Sequence, residues 1–160
     1  MTPIFLGLGS NVRPAHHLAV GLDALRALLG VLRCSAVYEG AAVGFDGAPF
    51  WNLVVQAETD LAVGELARTL RDIEYAHGRA RNATRYSDRT LDIDLLLYGA
   101  CAGEVDGIVL PRDDVLAQAF VLRPLAELAP DARHPGTGRT FADHWQNFDQ
   151  AAPALTEVSL

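Results

Sequence analysis

The stretch L-D-I-D-L-L-L-Y at residues 91–98 is long enough and apolar enough to form one strand of a buried β-sheet. Side chains on a strand alternate between its two faces, so Asp92 and Asp94 share one face, about 7 Å apart. The predicted core residues on the other face are Leu91, Ile93, Leu95 and Leu97. Leu96 and Tyr98 follow the two acids on their face and are apolar enough to be buried. The stretch therefore predicts two carboxylates at the head of a core strand.

Two carboxylates in this position are costly unless a cation meets them. Oxygen ligands on a rigid strand suit Mg²⁺, which binds one or two carboxylates together with phosphates and waters. An edge strand whose acids are simply solvated is the alternative. Asp92 and Asp94 are therefore candidate metal ligands.

Four arginines precede this strand within eleven residues, namely Arg79, Arg81, Arg85 and Arg89. Guanidinium groups make forked hydrogen bonds to phosphate oxygens, so arginines directly before two carboxylates indicate a site for a polyphosphate and its metal. A solvated basic loop that pairs with Asp88 and neighbouring helices is the alternative. The sequence has no G-x-x-x-x-G-K-[ST] P-loop, so any ATP site must use a different phosphate cradle.

Apolar periodicity and glycine or proline signals place two helices and three more strands before residue 91. The predicted order is strand 3–9, a helix from Pro14 to Gly30, strand 31–38, strand 50–58, helix 64–77 and strand 91–98. This βαββαβ order is typical of a ferredoxin-like α+β sandwich, with helices on one sheet face and the other face free for a ligand. Shorter helical pieces form a C-terminal extension, and we expect the tail beyond about residue 148 to be frayed. The chain, residues 1–160, is then a single domain.

The predicted strand 50–58 offers a second set of ligand-binding side chains. Its core face carries Trp51, Leu53, Val55 and Ala57. Phe50 and Asn52 share the opposite face, where an aromatic plane beside an amide could hold a flat, hydrogen-bonding heterocycle. Core packing is the alternative for Phe50. Gly7 and Gly9 on the first strand indicate either close approach of a ligand or a bulge.

Composition narrows the class of protein. The net charge of −7 argues against broad binding to nucleic acids or anionic membranes. No apolar run approaches the ~18 residues of a membrane span, and the first residues lack the basic region of a signal peptide. Cys34 and Cys101 fit neither a disulfide framework nor a zinc site, as in proteins of a reducing compartment. We therefore expect a cytoplasmic monomer, and an RNA-binding ferredoxin-like module is the less favoured alternative.

Five segments together make the chain resemble a known family. They are L-G-L-G-S-N (6–11), F-W-N-L-V-V (50–55), I-E-Y-A-H-G-R-A-R (73–81), R-T-L-D-I-D-L-L-L-Y-G (89–99) and F-V-L-R-P-L-A-E-L-A-P (120–130). In this order they resemble the 6-hydroxymethyl-7,8-dihydropterin pyrophosphokinases of folate biosynthesis, and the resemblance extends from Ile4 to about Gly138. It implies an enzyme in which the pterin alcohol oxygen attacks the β-phosphorus of ATP, giving the pterin diphosphate and AMP.

The resemblance also implies which residues form the site. The implied catalytic residues are Arg79, Arg89, Asp92 and Asp94, and the two aspartates would hold two Mg²⁺ ions against the triphosphate. The implied ATP-binding residues are Glu74, Arg79, Arg81, Arg89, Leu95 and Arg112. The implied pterin-binding residues are Gly40, Ala41, Ala42, Val43, Phe50, Asn52 and Phe120.

Several positions depart from the usual pattern of the family. The usual prolines of the pterin loop are absent from Gly40-Ala41-Ala42-Val43, and Ser87-Asp88 stands where the family usually has Gly-Pro. Arg112 follows Pro111 where the family usually has histidine, and Gln118 stands six residues later where it usually has arginine. Arg112 can replace one lost cation, so we expect it to compensate for Gln118. A paralogue with weak activity or a modified pterin substrate is the alternative that these departures leave open.

Overall fold

Eight strands and five helices make up the residues that this computed structural model describes, which are 1–149, 152 and 154–160. The strands are β1 (Thr2–Ser10), β2 (Arg33–Cys34), β3 (Val37–Gly40), β4 (Phe50–Thr59), β5 (Asp92–Tyr98), β6 (Gly103–Val105), β7 (Ile108–Leu110) and β8 (Thr156–Val158). The helices are α1 (Pro14–Leu29), α2 (Val63–Ala76), α3 (Asp114–Ala117), α4 (Ala119–Leu128) and α5 (Phe141–Gln146). Within this part of the chain, no helix is long and apolar enough to cross a membrane.

The main sheet has the strand order β5-β1-β4-β3-β8, and β2 also pairs with β4. All of these pairs are antiparallel. Because α1 follows β1 and α2 connects β4 to β5, this is the predicted ferredoxin-like βαββαβ arrangement. The strands β6 and β7 form a separate hairpin.

The predicted strand 31–38 is divided into β2 and β3, and β3 extends to Gly40. The break falls at Ser35, whose hydroxyl oxygen accepts a hydrogen bond from the Val54 N–H at 2.9 Å. In a continuous ladder this N–H would donate to a strand carbonyl, so the serine side chain interrupts the pairing.

The first face of the sheet packs against α1 and α2, as predicted. Pro14 occupies the first position of α1, where its missing N–H costs nothing, and the apolar stripes of both helices face the sheet. The buried residues of this core include Leu6, Leu8, Leu18, Leu22, Leu25, Leu53, Val55, Leu66, Leu70 and Ile93.

The second face of the sheet was expected to be free, and this expectation is wrong for part of it. Phe5, Val54 and Leu96 on this face are buried, because α4 and α5 pack over them. The covering side chains of α4 and α5 are Val121, Leu122, Leu125, Ala126 and Phe141, and Val115 of α3 joins them. Apolar residues on both sides make this contact favourable, so the C-terminal extension leaves only one part of the face open.

A bulge in β5 overturns one detail of the predicted alternation. Leu6 pairs with Leu95, whereas the neighbouring Phe5 pairs with Leu97, so β5 contains one extra residue at this point. Leu97 therefore joins the core of the second face, and Tyr98 packs against the core of the first. Asp92 and Asp94 precede the bulge and keep their common face.

The end of the chain also differs from the expectation of a frayed tail beyond residue 148. Thr156–Val158 form β8, which pairs with β3, and Val158 packs against the core of the first sheet face. Backbone pairing together with this apolar contact holds the segment against the sheet. Part of the expectation falls on residues 150, 151 and 153, which lie outside the described residues.

Candidate functional site

A cavity of about 610 Å³ lies on the part of the second sheet face that α4 and α5 leave open. Strands β1, β4 and β5 form its floor, and the arginine loop (residues 79–89) forms one wall. The other walls are formed by residues after β3, by the turn between α3 and α4, and by the C-terminal segment. This volume is in the ordinary range for a site that binds small molecules.

The floor is built around Gly9, which pairs with Asn52 on β4 and with Asp92 on β5. Gly7 pairs in the same way with Asp94. A Cβ atom at Gly9 would lie only 2.6 Å from Oδ1 of Asn52, so glycine is needed for this amide to keep its position. Strands lie about 4.8 Å apart, so Asn52 and Asp92 stand on either side of Gly9, on backbones about 10 Å apart.

Asp92 and Asp94 are partly buried, with 30% and 35% of their side chains exposed. Burial, together with the negative charges of Asp94 and Glu74, raises the pKa of Asp92 to about 7, although Arg89 and Arg79 oppose the shift. Burial also raises the pKa of Asp94, although the positive charge of Arg112 opposes this effect. Two desolvated carboxylates on one face are a donor set that suits a divalent cation.

Two residues of the arginine loop contact Asp92 directly. Nη1 of Arg79 donates to its Oδ1 at 3.2 Å, and Nε of Arg89 lies 3.4 Å from the same atom. Arg89 is buried, its backbone N–H donates to Oδ1 of Asn11 at 2.8 Å, and its guanidinium donates to Ser87 and to the Thr84 carbonyl. The loop is therefore tied to the sheet through Arg89.

Glu74 is a buried carboxylate behind the floor. It has no exposed surface, and it accepts hydrogen bonds from the Ile93 N–H at 2.8 Å, from Nη1 of Arg71 at 2.6 Å and from Nη1 of Arg79 at 3.1 Å. Burial raises its pKa, whereas these three donors lower it. Glu74 thus orients two arginines that line the cavity and does not line it itself.

Arg112 approaches the floor from the other side. Its Nη2 lies 3.8 Å from Oδ1 of Asp94, and its Nε donates to Oδ2 of Asp114 at 3.1 Å. The two carboxylates raise the pKa of Arg112, against the effect of burial. Gln118 lines the same cavity.

The opposite part of the cavity is lined by aromatic side chains and Asn52, and we refer to it as the aromatic end. Phe45 and Phe50 line it together with Gly40, which pairs with Phe50, and Phe120 lines the cavity from α4. The rings of Phe45 and Phe50 meet edge to face, with their centroids 6.2 Å apart. A flat heterocycle can stack on such rings while Asn52 supplies a donor and an acceptor.

Most of the predicted site residues line this one cavity. They are Gly40, Ala41, Val43, Phe50, Asn52, Arg79, Arg89, Asp92, Asp94, Arg112 and Phe120. Four predicted residues do not line it, namely Ala42, Glu74, Arg81 and Leu95. Leu95 faces the core of the first sheet face, because strand alternation turns it away from its neighbour Asp94. The guanidinium of Arg81 lies over the Tyr75 ring, 4.2 Å from its centroid.

Sequence reasoning missed several lining residues. Arg71 belongs to α2 and not to the arginine loop, although its position three residues before Glu74 is a recognisable ion-pair spacing. Phe45 and Tyr86 come from loops, where no periodicity marks a buried side. Tyr86 has a φ of 54° and packs its ring against Gly44, which brings the arginine loop onto the loop after β3.

The cavity therefore combines three carboxylates (Asp92, Asp94 and Asp114), five arginines and several aromatic rings. The lining arginines are Arg71, Arg79, Arg85, Arg89 and Arg112. No group of three or more His, Cys, Asp or Glu side chains that could hold a metal occurs among the described residues. A cation on Asp92 and Asp94 would thus complete its coordination with oxygens from a ligand and water, as Mg²⁺ does with phosphates.

Comparison with known proteins agrees with this chemistry. Residues 5–130 match the family model of 7,8-dihydro-6-hydroxymethylpterin-pyrophosphokinase (HPPK). A 2-amino-4-hydroxy-6-hydroxymethyldihydropteridine pyrophosphokinase from Synechocystis sp. is 35% identical, and the match covers 92% of this chain and 76% of that protein. The Pseudomonas aeruginosa protein of the same name is 37% identical, and the match covers 82% of this chain and 83% of its own length.

Solved structures show the same fold. A wild-type HPPK-DHPS from Plasmodium falciparum superposes with a TM-score of 0.68 at 13% sequence identity. The superposition covers 91% of this chain and 44% of that one, so the chain spans less than half of the length of this solved relative.

Proposed function

Because the chain belongs to the 7,8-dihydro-6-hydroxymethylpterin-pyrophosphokinase family, we propose that it transfers the terminal diphosphate of ATP to the hydroxymethyl group of 6-hydroxymethyl-7,8-dihydropterin. The products are the pterin diphosphate and AMP, as a step of folate biosynthesis. The observation that carries the proposal is the row Asn52–Gly9–Asp92 across three strands. This row places the Asn52 amide, which can bind a pterin, and the Asp92 carboxylate, which can bind a metal, on the same cavity floor.

The pterin occupies the aromatic end of the cavity in this proposal. Phe50 and Phe120 stack on its ring, and Asn52 pairs with its polar edge. Stacking costs little conformational freedom and fixes the plane of the ring, so the hydroxymethyl group is directed along the floor towards Asp92.

The triphosphate lies over the acidic part of the floor. Arg79 and Arg89 stand beside Asp92, and Arg112 stands beside Asp94, so cations flank the phosphates on both sides. Arg71 adds a further guanidinium from α2. Forked hydrogen bonds from these groups hold the phosphate chain in line with the attacking oxygen.

Asp92 and Asp94 would hold two Mg²⁺ ions, because their desolvation and mutual repulsion are relieved by positive charge. When bound, Mg²⁺ neutralises the triphosphate and stabilises the charge that develops on the transferring group. The arginines share this role and exclude water from the phosphates. Phosphoryl-type transfer depends on alignment and charge more than on covalent catalysis, so the site needs no nucleophilic side chain.

The carboxylates, arginines and aromatic rings that the proposed reaction needs all lie in one cavity of a single chain, so the proposed active unit is a monomer. Both cysteines, Cys34 and Cys101, are free thiols, which is consistent with a reducing compartment such as the cytoplasm.

The decisive experiment incubates the protein with ATP, Mg²⁺ and 6-hydroxymethyl-7,8-dihydropterin and follows AMP by chromatography. We expect stoichiometric AMP and pterin diphosphate, and no AMP when the pterin is omitted. Release of ADP in place of AMP, or no pterin-dependent product, would contradict the proposal.

A further inference from the structure

The C-terminal strand β8 brings an additional side chain into the cavity. It pairs with β3 in the register Glu39↔Thr156, Tyr38↔Glu157 and Val37↔Val158. Val158 packs against the core of the first sheet face. By strand alternation Thr156 lies on the same side as Val158, and Leu155 lies on the opposite side, where the cavity is.

Leu155 lines the cavity directly against Gly40. A Cβ atom on Gly40 would lie only 2.8 Å from Cδ2 of Leu155. The leucine therefore occupies space that any other residue at position 40 would fill, and the two positions share one volume at the aromatic end.

Three residues of the fold hold Leu155 in place. The guanidinium of Arg123 lies over the Tyr38 ring, 4.6 Å from its centroid, and its Nη1 donates to the Leu155 carbonyl at 3.5 Å. Nε of Arg123 donates to Oε1 of Glu127 at 3.1 Å, and the buried Tyr38 hydroxyl donates to Oε2 of the same carboxylate. The backbone at Leu155 is thus attached both to β3 and to α4.

We propose that Leu155 determines which pterin alcohols the enzyme accepts. Its side chain sets the width of the aromatic end, so it admits the unsubstituted ring and excludes rings that carry additional alkyl groups. This inference rests on the proposed function, because it names a specificity residue for that reaction. The discrimination between pterins is steric. One methyl or methylene group in an apolar pocket changes selectivity by about tenfold or more.

The test compares kcat/KM for 6-hydroxymethyl-7,8-dihydropterin with kcat/KM for an analogue that carries two methyl groups on the reduced ring. The variants are Leu155→Ala, Leu155→Phe and the matched control Thr156→Ala, which alters the neighbouring exposed residue on the other side of β8. Leu155→Ala should shift the selectivity ratio towards the analogue by about tenfold. Leu155→Phe should shift it the opposite way, and Thr156→Ala should keep the wild-type ratio.

A second measurement does not depend on catalysis. Gly40→Ala alone should lower the midpoint of thermal unfolding, and Leu155→Ala in the same chain should restore most of the loss, because the added methyl then has room. Unchanged selectivity in both Leu155 variants, or an additive effect of Gly40→Ala and Leu155→Ala on the unfolding midpoint, would overturn the inference. AMP formation by the wild type from the unsubstituted pterin shows separately whether the proposed function holds.

Discussion

Glu74 and Arg79 form an ion pair of 3.1 Å between Oε1 and Nη1, and the carboxylate has no exposed surface. Because Arg79 also contacts Asp92, this buried charge positions a guanidinium at the edge of the cavity floor. Breaking a buried pair on one side leaves the other charge without its partner, which is strongly destabilising.

We therefore predict that Glu74→Gln lowers the free energy of unfolding by about 3 kcal/mol and also lowers kcat. Urea unfolding and steady-state kinetics measure the two effects. Glu65→Gln, an exposed position on the same helix, is the control and should change neither property appreciably. A Glu74→Gln protein with wild-type stability would contradict the role of this carboxylate as an anchor.

A second prediction concerns the metal ligands. Asp94→Asn keeps the shape of the side chain but removes one of the two charges proposed to hold Mg²⁺, so kcat should fall by about 10³-fold, equivalent to ~4 kcal/mol. Asp72→Asn, an exposed acid on α2, serves as the control. Calorimetry should also show weaker binding of Mg²⁺ with a non-hydrolysable ATP analogue. Turnover close to that of the wild type would exclude Asp94 as a metal ligand.

The floor geometry yields a third prediction. Asn52→Ala should weaken pterin binding by about tenfold and spare ATP binding, since one or two hydrogen bonds are lost. Gly9→Ala should produce the same selective loss, because the added Cβ would lie 2.6 Å from Oδ1 of Asn52 and displace the amide.

Gly7→Ala is the matched comparison for Gly9→Ala. Its Cβ would lie 3.4 Å from Cδ1 of Leu96, an ordinary contact, so its effect should be smaller. Calorimetric titration of each variant with each ligand measures the difference. Equal weakening of pterin and ATP binding by Asn52→Ala would indicate a structural role only.

A fourth prediction addresses the departure at Gln118. If Arg112, 3.8 Å from Asp94, supplies the cation that Gln118 lacks, Arg112→Ala should reduce kcat by about 10- to 100-fold. Gln118→Arg should then bring little gain, because it places a second guanidinium near the first. The measurement is kcat at saturating Mg·ATP, with the exposed Arg68→Ala as the control. An Arg112→Ala enzyme as fast as the wild type would refute compensation.

The fifth prediction concerns pH and the C-terminal extension. His134 is buried, and its Nδ1 accepts hydrogen bonds from the backbone N–H groups of Gly136 and Thr137 at 3.0 and 3.2 Å. Burial lowers its pKa from the ordinary value of 6.5, and the nearby His144 lowers it further. The unfolded chain therefore binds the proton more tightly than the folded one.

It follows that the stabilising contribution of His134 is fully present above about pH 6.5 and is lost as pH falls through the lower pKa of the folded state. Urea unfolding at a series of pH values from about 7.5 to about 5 should show this loss. His134→Asn retains an oxygen acceptor for the two N–H groups but does not titrate, so its stability should vary less over this range. Identical pH profiles for the two proteins would refute the assignment.

The sequence predicts those strands and helices whose apolar side chains recur with a regular period. Alternation along β5 is sufficient to place Asp92 and Asp94 on one face, and helical spacing is sufficient to define α1 and α2. The same alternation fails at Leu97, because a bulge depends on the pairing with β1 and leaves no mark in the sequence of β5.

The rest of the site depends on contacts between distant parts of the chain. Arg71 lines the cavity because Glu74 holds it there, and Glu74 is placed by the N–H of Ile93 on another element. Leu155 lines it because β8 pairs with β3, more than one hundred residues earlier in the sequence. Local propensity carries no information about such pairings, so these residues emerge only from the tertiary structure.

The pairing of β8 with β3 also bears on self-association. Without β8, the outer side of β3 would present unpaired N–H and C=O groups, which form a template for the strand of another molecule. β8 covers that edge, and the new edge that it forms is only three residues long. The exposed Glu157 adds a negative charge there. Short, charged edges are poor partners for further strands. The segment that carries Leu155 to the cavity therefore also protects this edge of the sheet against edge-to-edge aggregation.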